Sequence, residues 1–560
     1  MKSSIFPHLI ALHAQLQSAS GPNAFTLRLP VPSNLNIPAW RSRLATYSDT
    51  HLCDFLEFGW PVGYAIDETP VSSARNHGSA LSRPDVIDSY LTRECELGAT
   101  CGPFSSNPLS NDLTTSPLQI AYSSKGKPRV VVDLSFPRGS SVNSGIPADT
   151  YLGVDFKLRL PGVDALLDII RLKGRHCHLF KMDLSRAYRQ LRVDPRDYHL
   201  LGFRHRNAFY FDIAPPFGLR SSAMMCQRST TAITFMYRDL GFHCTNYIDD
   251  FGGAEIPDKS AEAFQTLGSL LEELGLDTSP EKASPPATSM VFLGVFVDTA
   301  NMTVSVSPER VQELFDRCSS LLPVDNVSRT ELQSLLGVMS YVTACVRPAR
   351  VFMSTLLYTL RVHKLSSVCP LSPDNKADLR WWCYFLPFYN GVTIIKTVPW
   401  RNDPMYLSTD ACSTGAGGFF NGQYFHTPFP SSVLHRFGHD INTLELLAIM
   451  VALKIWAPLL QGQRLVLQCD NENSVLALTS GRSRAPGMQR CLREIWFLTA
   501  AWDLEIVSTH IPGITNSIAD HLSRWHLSPT HQQRFSELTS TLTTTHVYCP
   551  PEFFEFQISC

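Results

Sequence analysis

Two adjacent carboxylates, Asp249 and Asp250, lie within the mostly apolar stretch 246–251. Neighbouring carboxylates disfavour each other's ionisation unless a cation lies beside them, and the usual partner is a hard divalent ion with oxygen ligands. Upstream, residues 178–191 predict a short strand that ends at Asp183 and is followed by a turn of helix. If this strand lies beside a hairpin carrying Asp249, three carboxylates converge, the minimum set for two Mg2+ ions that activate a 3′-hydroxyl and stabilise a leaving pyrophosphate. Alone, the Tyr-x-Asp-Asp pattern equally fits a hairpin whose aspartates serve only the turn.

A second group of acidic residues lies in the last third of the chain: Asp410, Glu445, Asp470 and Asp520. Asp410 and Asp470 are each predicted to end a strand, whereas Glu445 and Asp520 are predicted to project from helices. Each has a simpler explanation by itself, since Glu445 could be the capping-box partner of Asn442 and the aspartates could be turn formers. Four of them in this order, in a domain of β-β-α-β-α type, favour hydrolysis in which water attacks a phosphodiester between two metal ions.

The elements around Asp183 supply candidate substrate contacts. A hairpin is predicted with a basic tip at residues 123–128, from which Lys127 or Arg129 could hold a triphosphate. A hairpin that is simply solvated is the alternative. A second strand pair follows Asp183 and ends in a break at residues 215–220 before a new helix. A glycine in that break would let backbone approach a base pair closely, although a plain strand-to-helix turn has the same sequence.

Helices are predicted after the sheet. Residues 260–274 have the apolar spacing of an amphipathic helix that a glycine then ends. Ser307, followed by a proline, predicts a capped helix start. Ser328 predicts another, with Glu331 as its capping-box partner. We expect these helices to form a clamp for a duplex.

At 560 residues the chain is expected to form two to four domains. An apolar content of 44% is that of an ordinary globular protein. The net charge of −2 gives no general attraction to nucleic acid, so binding would need a local basic stripe. Fifteen cysteines without a Cys-x-x-Cys pair favour a reducing compartment. The run 335–346 is too short to span a bilayer, and residues 5–14 are a poor secretory signal.

The joint pattern over residues 115–525 resembles the reverse transcriptases of retroelements followed by a ribonuclease H. The blocks that resemble the polymerase are Lys181-Met182-Asp183 with Tyr188, Pro216-Phe217-Gly218-Leu219, Tyr247-Ile248-Asp249-Asp250, Lys282 and Phe292-Leu293-Gly294. The blocks that resemble the ribonuclease H are His510-Ile511-Pro512-Gly513 with Asn516, and Ala519-Asp520-His521-Leu522-Ser523-Arg524. The stretch 133–139, Ser141-Val142-Asn143 and the segment 40–64 look most like the DIRS group of tyrosine-recombinase retrotransposons.

The resemblance implies an α/β (α+β) fold: a right-hand polymerase with fingers, palm and thumb, then a connection and an RNase H-like mixed-sheet domain. The implied divisions are an N-terminal leader packing on the polymerase (1–100), fingers and palm (101–305), helical thumb (306–365), connection (366–400), RNase H-like domain (401–530) and C-terminal tail (531–560). We find no aspartic-protease triplet, no zinc-finger integrase and no Arg…His-x-x-Arg…Tyr signature after Asp520. Asp133-Leu134-Ser135 also departs from the Asp-Leu-Arg of gypsy-type elements.

The resemblance also implies residue roles. The metal carboxylates would be Asp183, Asp249 and Asp250 in the polymerase and Asp410, Glu445, Asp470 and Asp520 in the hydrolase. His510 would assist proton transfer or product release. Tyr188 would be the steric gate under the sugar, because an aromatic face against C2′ leaves no room for a 2′-hydroxyl. The remaining substrate contacts would be Lys127, Arg129, Phe217, Gly218, Gln227, Tyr247 and Lys282.

The implied activity is RNA-directed DNA polymerisation with ribonuclease H, using two Mg2+ ions per active site, with Mn2+ as an alternative. The implied partners are an RNA template, a DNA or RNA primer, RNA/DNA hybrid and dNTPs, with a separately encoded tyrosine recombinase and a Gag-like protein as further partners and no membrane. We expect an intracellular protein, in cytoplasm or nucleus, and not a secreted one. The alternatives are a catalytically inactive relic that only binds nucleic acid and a pararetroviral polymerase.

Overall fold

The computed structural model describes residues 6–18, 28–73, 75–122, 126–363, 366–389, 391–395, 405–483 and 485–556. The chain divides into two compact units. Unit 1 comprises Met1–Leu293 with Asp298–Asn301, and unit 2 comprises Gly294–Val297 with Met302–Cys560. The six-part division expected from sequence stays a prediction. Half of the expected hairpin tip, at 123–125, and the expected linker at 398–404 lie outside the described residues.

Unit 1 contains nine α-helices and twelve strands among its described residues. The helices are α1 (Phe6–Ser18), α2 (Ile37–Arg43), α3 (Leu52–Phe58), α4 (Gly78–Leu81), α5 (Pro84–Glu96), α6 (Val163–Lys173), α7 (Ala187–Gln190), α8 (Ser222–Asp239) and α9 (Pro257–Glu273). The strands are β1 (Thr100–Phe104), β2 (Leu118–Tyr122), β3 (Pro128–Val132), β4 (Thr150–Tyr151), β5 (Val154–Asp155), β6 (His178–Asp183), β7 (Gly202–His205), β8 (Ala208–Asp212), β9 (Cys244–Tyr247), β10 (Asp250–Glu255), β11 (Ser284–Ala287) and β12 (Ser289–Phe292).

A four-stranded antiparallel sheet with the order β11-β6-β10-β9 lies at the centre of unit 1. Helices α6, α8 and α9 pack against it. The apolar spacing predicted for α9 is confirmed, because Leu267, Leu270 and Leu271 are all buried. Strand β6 is held between two neighbours and buries Leu179 and Phe180 completely. This burial makes the sheet a rigid support for residues at the strand ends.

The first hundred residues are tied to the rest of unit 1 by buried polar contacts. The Trp40 indole N–H donates to the Leu274 carbonyl at 3.0 Å. Glu94 on α5 accepts from the fully buried guanidinium of Arg189, which also pairs with Asp212 at 2.7 Å. Buried charge pairs of this kind are expensive to break. The described part of this segment is therefore integral to unit 1.

Unit 2 contains ten α-helices and eleven strands among its described residues, counting β13, whose last residue belongs to unit 1. The helices are α10 (Pro308–Leu321), α11 (Arg329–Cys345), α12 (Ser354–Val362), α13 (Pro373–Phe385), α14 (Ser431–Phe437), α15 (Ile441–Trp456), α16 (Glu472–Ser480), α17 (Pro486–Ala501), α18 (Ser517–Ser523) and α19 (Pro529–Leu538). The strands are β13 (Val295–Asp298), β14 (Thr303–Ser305), β15 (Asn326–Ser328), β16 (Val368–Pro370), β17 (Val392–Ile394), β18 (Met405–Ala411), β19 (Gly415–Phe420), β20 (Gln423–Pro428), β21 (Arg464–Cys469), β22 (Glu505–His510) and β23 (Thr545–His546).

The largest sheet of unit 2 is mixed and has the order β22-β21-β18-β19-β20-β23. Strands β18, β19 and β20 are antiparallel, whereas β21 and β22 run parallel to β18. This is the mixed sheet expected of an RNase H-like domain, so the predicted α/β fold class is confirmed. The stretch Ile441–Leu460 is long and apolar enough to cross a membrane, a property not expected from the run at 335–346, but 78% of its 18-residue apolar window is buried in this unit. It is therefore explained as a core helix over the sheet.

The two predicted helix starts behave differently. The Ser328 hydroxyl accepts from the Glu331 N–H at 3.1 Å, which confirms Ser328 as the cap of α11. The reciprocal bond from the Glu331 side chain, which would complete the predicted capping box, stays a prediction. Helix α10 begins after Ser307, but the Ser307 side chain makes no capping hydrogen bond. The Ser307 hydroxyl bonds instead to the Glu309 carboxylate. The pKa of that exposed acid is lowered first by the backbone N–H of Glu309 and then by Ser307. The predicted cap was therefore wrong, because a neighbouring acid competes for the hydroxyl.

A buried ion pair joins α13 to α17 within unit 2. The Arg493 guanidinium donates to Asp378 at 2.8 Å, and Asp378 is completely buried. Burial raises the pKa of Asp378 to about 6, while Arg493 opposes that rise. On α13, the Trp382 indole N–H donates to the Phe352 carbonyl at 3.0 Å. The helices that precede the mixed sheet thus share a core with it.

We expect Arg493→Met to lower the free energy of unfolding of unit 2 by about 3–5 kcal/mol, because it leaves a buried carboxylate without its partner. The double variant Arg493→Met/Asp378→Leu should recover most of that loss. Arg534→Met is the matched control, since its pair with Glu537 is exposed and should change stability by about 1 kcal/mol or less. Denaturant unfolding of each variant measures the effect, and equal losses for Arg493→Met and Arg534→Met would contradict it.

Two candidate carboxylate centres

The first centre is built by the register of β6 and β10. Asp183 lies directly opposite Asp250 in this antiparallel ladder, so their side chains share one face of the sheet. Asp249 immediately precedes β10, in the turn that follows β9. The Leu184 N–H donates to the Asp249 carbonyl at 3.0 Å. The three predicted aspartates therefore do come together, each placed by backbone hydrogen bonds.

The environment of this centre disfavours negative charge. Burial raises the pKa of Asp249, and the neighbouring carboxylates of Asp183 and Asp250 raise it further. Two lysines offset this repulsion. Lys282 donates to Asp183 at 2.7 Å, and this hydrogen bond raises the pKa of the lysine. Lys181, which was not predicted as a site residue, lies 2.9 Å from Asp250.

The turn between β9 and β10 is held from the side of helix α8. Ile248 has a φ of 56°, in the left-handed region, which is costly for a β-branched residue. The Gln227 side-chain oxygen accepts from the Ile248 N–H at 2.8 Å, and the Gln227 amide donates to Thr231. Tyr247, at the end of β9, lies opposite Asp250 in the ladder. Gln227, predicted as a substrate contact, thus positions the acidic turn; substrate contact by Gln227 and Tyr247 stays a prediction.

The predicted nucleotide contacts lie on α7 and on the loop between β8 and α8. The Tyr188 and Phe217 rings are 5.3 Å apart, and Phe217 is half exposed. Gly218 has a φ of 107°, and a Cβ there would lie 2.5 Å from the Val132 carbonyl oxygen, so only glycine fits. The Asn143 side chain donates to the Gly218 carbonyl at 2.7 Å and fixes this loop. The structure therefore groups the predicted gate Tyr188 with Phe217 and Gly218.

The predicted phosphate contacts lie on the β2–β3 hairpin. Arg129 is on β3 opposite Ala121, and both are exposed. Lys127 is exposed beside the hairpin turn. Among the described residues, no hydrogen bond or ion pair joins Arg129 to the three aspartates. Binding of a triphosphate by Lys127 and Arg129 stays a prediction.

The second centre lies in the mixed sheet of unit 2. Asp410 is near the end of β18, Asp470 directly follows β21, and the two strands are parallel neighbours. Glu445 lies on α15, which packs on β18. Ligand atoms of Glu445, Cys469 and Asp470 all lie within 4.8 Å of one another. The cap of α15 is Asp440, which accepts from the Thr443 N–H, so Glu445 is not a capping-box partner of Asn442.

Charge at the second centre is strongly disfavoured without a cation. Burial raises the pKa of Glu445 to about 9, and Asp410 and Asp470 add to the rise. Burial also raises the pKa of Asp410, although the Ser523 hydroxyl donates to it. Buried carboxylate oxygens of this kind are the ligands that Mg2+ takes. The donor set therefore fits a hard divalent ion.

The remaining predicted residues lie at the edge of this centre. Asp520 is on α18 and is paired with Arg524, with the His521 ring nitrogen at 3.7 Å. Arg524 opposes the rise that burial causes in the pKa of Asp410, so α18 brings its positive charge close to β18. His510 Nε2 lies 3.1 Å from the Asp470 carbonyl oxygen. Asp520 thus lies next to the centre, but in this structure it pairs with the Arg524 side chain.

Sequence reasoning missed five residues that the structure places at these centres: Lys181, Asn143, Cys469, Ser523 and Arg524. Each of the five lies within, or next to, one of the sequence motifs described above. Lys181 and Arg524 become partners only through strand register and helical spacing, and neither follows from residue type. Ser141-Val142-Asn143 is a motif of the sequence, and the hydrogen bonds of the buried Asn143 amide to the Gly218 carbonyl and the Arg220 N–H explain why an asparagine stands there.

Comparison with known proteins adds a family match for part of the chain. Residues 136–297 match the family model "Reverse transcriptase (RNA-dependent DNA polymerase)". This range contains the first centre and excludes Arg129 and the whole second centre. The "Enzymatic polyprotein" of Carnation etched ring virus is 22% identical over 418 residues, which cover 71% of this chain and 56% of that protein. The "Transposon Tf2-3 polyprotein" of Schizosaccharomyces pombe is 22% identical over 428 residues, 74% of this chain and 29% of that protein.

Two solved structures are also similar. A foamy viral protease-reverse transcriptase in complex with double-stranded DNA has a TM-score of 0.45 and 13% identity, over 88% of this chain and 85% of that one. The foamy viral enzyme with an RNA/DNA hybrid has a TM-score of 0.46 and 13% identity, over 86% of this chain and 64% of that one. The fold assignment rests on the sheets described above and on the family match. Residues 136–297 are therefore similar to reverse transcriptase domains, and the chain spans 56% and 29% of the lengths of these two relatives, a viral and a transposon polyprotein.

Proposed function

We propose that the protein is an RNA-directed DNA polymerase with a fused ribonuclease H, which copies RNA into DNA and degrades the RNA strand of the hybrid. The observation that carries the proposal is the placement of Asp183 opposite Asp250, with Asp249 in the adjoining turn, inside the segment that matches reverse transcriptases. The partial coverage of the relatives makes the activity of the whole protein part of this proposal.

In the polymerase, Asp183, Asp249 and Asp250 supply the oxygen ligands for divalent metal. Two Mg2+ ions held there would activate a primer 3′-hydroxyl and neutralise the leaving pyrophosphate. Lys282, which is half exposed and pairs with Asp183, would steady or protonate that leaving group. Tyr188, packed near Phe217, would lie against the sugar and exclude a 2′-hydroxyl.

We expect Asp249→Asn to abolish DNA synthesis on an RNA template. Loss of a metal ligand removes several kcal/mol of transition-state stabilisation, and each 1.36 kcal/mol is tenfold in rate, so the rate should fall by about a thousandfold. Primer extension with Mg2+ measures it. Asp258→Asn, an exposed acid on α9, is the matched control and should extend normally. Full activity of Asp249→Asn would defeat the polymerase assignment.

The ribonuclease H proposal rests on Asp410, Glu445 and Asp470, which meet in the mixed sheet, with Asp520 beside them. Metal held by these oxygens would orient a water for attack on the phosphodiester. His510, at the Asp470 carbonyl, would assist proton transfer or product release. Release of Asp520 from Arg524 would complete the predicted ligand set.

We expect Asp410→Asn to stop cleavage of the RNA strand of a hybrid while DNA synthesis continues, because Asp410 belongs to a different unit from the polymerase aspartates. The loss should be about a thousandfold or more by the same reasoning. Gel analysis of labelled RNA in a preformed hybrid measures cleavage. Asp249→Asn is the reciprocal control and should cleave RNA normally. Parallel loss of both activities in either variant would reject two independent centres.

Glu445 should make metal-free stability depend on pH. Its pKa rises from 4.5 when unfolded to about 9 when folded. Between these values the unfolded state binds fewer protons than the folded state, so the free energy of unfolding falls as pH rises. In EDTA near pH 8 we therefore expect Glu445→Gln to melt at a higher temperature than the parent, and the two to converge as pH falls towards about 4.5. Mg2+ should raise the Tm of the parent more than that of Glu445→Gln; equal shifts would contradict metal binding at Glu445.

The element class is a further part of the proposal. The stretch 133–139 and Ser141-Val142-Asn143 support a DIRS-type retrotransposon, with a separately encoded tyrosine recombinase and a Gag-like protein as partners in the cell interior. The similarity to the Carnation etched ring virus polyprotein favours a pararetroviral polymerase as the second candidate. A tyrosine recombinase gene beside this one would support the first, and a viral genome arrangement the second. A catalytically inactive relic would bind hybrid and show no metal-dependent turnover.

A further inference from the structure

A buried hydroxyl on helix α18 contacts the second centre. Ser523 Oγ lies 2.5 Å from Asp410 Oδ2, and both residues are buried. The same hydroxyl lies 2.9 Å from the Asp520 carbonyl oxygen. A serine has only one proton to donate, and a hydrogen bond to a carboxylate is stronger than one to a neutral carbonyl. The geometry therefore favours donation from Ser523 to Asp410.

A close approach between α18 and the mixed sheet brings this hydroxyl to Asp410. Gly417 on β19 lies directly opposite Asp410 in the β18–β19 ladder. A Cβ at Gly417 would lie 2.5 Å from the Ser523 backbone nitrogen, so any side chain there would push the helix away from the sheet. The Cys412 thiol, just after β18, donates to the Ser523 carbonyl at 3.3 Å. Ser523 is thus held against the strand that carries Asp410 by its backbone as well as by its side chain.

The hydrogen bond makes the two oxygens of Asp410 different. Oδ2 accepts from Ser523, whereas no hydrogen bond among the residues that the structure describes reaches Oδ1. A carboxylate that is held through one oxygen presents the other in a fixed direction, and outer contacts of this kind orient metal ligands. Burial, and after it the charge of Asp470, raise the pKa of Asp410, and the bond from Ser523 opposes that rise. The same hydroxyl therefore favours both the orientation and the ionised form of Asp410.

We propose that Ser523 is a positioning residue of the second centre, which orients the Asp410 carboxylate so that its Oδ1 is presented to divalent metal. This rests on the proposed ribonuclease H function and adds to it a residue that holds no metal itself. The hydroxyl acts only through Asp410, so its loss weakens metal binding and leaves the chemical step unchanged once metal is bound. The polymerase aspartates belong to the other unit and do not depend on Ser523.

The test measures Mn2+ binding to the whole chain, followed by the electron paramagnetic resonance signal of free Mn2+. The parent and all variants carry Asp249→Asn, which removes a proposed ligand of the first centre. Ser523→Ala should weaken Mn2+ binding by about ten- to hundredfold, the usual effect of losing an outer contact to a metal ligand. Cleavage of the RNA strand of a hybrid should need correspondingly more Mg2+, while its rate at saturating Mg2+ stays within about threefold of the parent.

Two further variants separate the hydrogen bond from packing. Ser523→Cys keeps the shape of the side chain but offers only a weak donor, so it should bind Mn2+ as weakly as Ser523→Ala. Thr499→Val is the matched control, because Thr499 is a buried hydroxyl that donates to the Trp496 carbonyl at 2.9 Å in α17, a helix that carries none of the four acids. It should bind Mn2+ as the parent does. Thermal melts identify variants that fail to fold, and Ser523→Cys decides the test if Ser523→Ala does not fold.

The outcomes distinguish this inference from the proposal on which it rests. If folded Ser523→Ala binds Mn2+ as tightly as the parent, Ser523 does not orient Asp410, and the inference is overturned while the ribonuclease H proposal stands. Parent-like binding by Ser523→Cys overturns it as well, because packing and not the hydrogen bond would then be responsible. If the Asp249→Asn parent binds no Mn2+ and cleaves no hybrid, the ribonuclease H proposal fails, and this inference fails with it.

Discussion

Like charges held close together by backbone hydrogen bonds are the constraint on which both centres depend. In unit 1 the β6–β10 ladder sets Asp183 and Asp250 opposite each other. In unit 2 the parallel neighbours β18 and β21 deliver Asp410 and Asp470 beside Glu445. Strand register sets the positions of these acids. The charge must therefore be balanced by protons, by basic side chains or by metal.

The two units balance their charge differently. The first centre uses lysines, at Asp183 and at Asp250. At the second centre, burial and the neighbouring carboxylates raise the pKa of Glu445 to about 9, so a bound proton neutralises that side chain. Arg524 pairs with Asp520 on the margin of the centre. Without metal, the second centre is thus the more dependent on pH. Basic side chains and bound protons occupy the electrostatic role that divalent ions would take over.

Local pattern was enough to predict the elements that carry the acids, because strands and turns follow from nearby residues. The strand ending at Asp183, the hairpin before Asp250 and the helix bearing Glu445 all follow from apolar periodicity and turn residues. Local sequence pattern could not predict contacts that depend on strand register or on segments far apart in the chain. Lys181 meets Asp250 only once β6 and β10 are paired, and Trp40 meets Leu274 across more than two hundred residues. Strand β23 is polar, so its sequence does not predict a strand; it forms because it pairs with β20, the neighbouring strand of the mixed sheet.

The turn at Ile248 has one more consequence. A β-branched side chain in the left-handed region costs of order 1–3 kcal/mol, and glycine or asparagine would adopt that φ with less strain. The penalty is tolerated because Gln227 and the β9–β10 ladder hold the backbone on both sides. The Ile248 side chain packs against the hydrophobic core of unit 1, a contact that a glycine at this position would give up in exchange for the relaxed backbone.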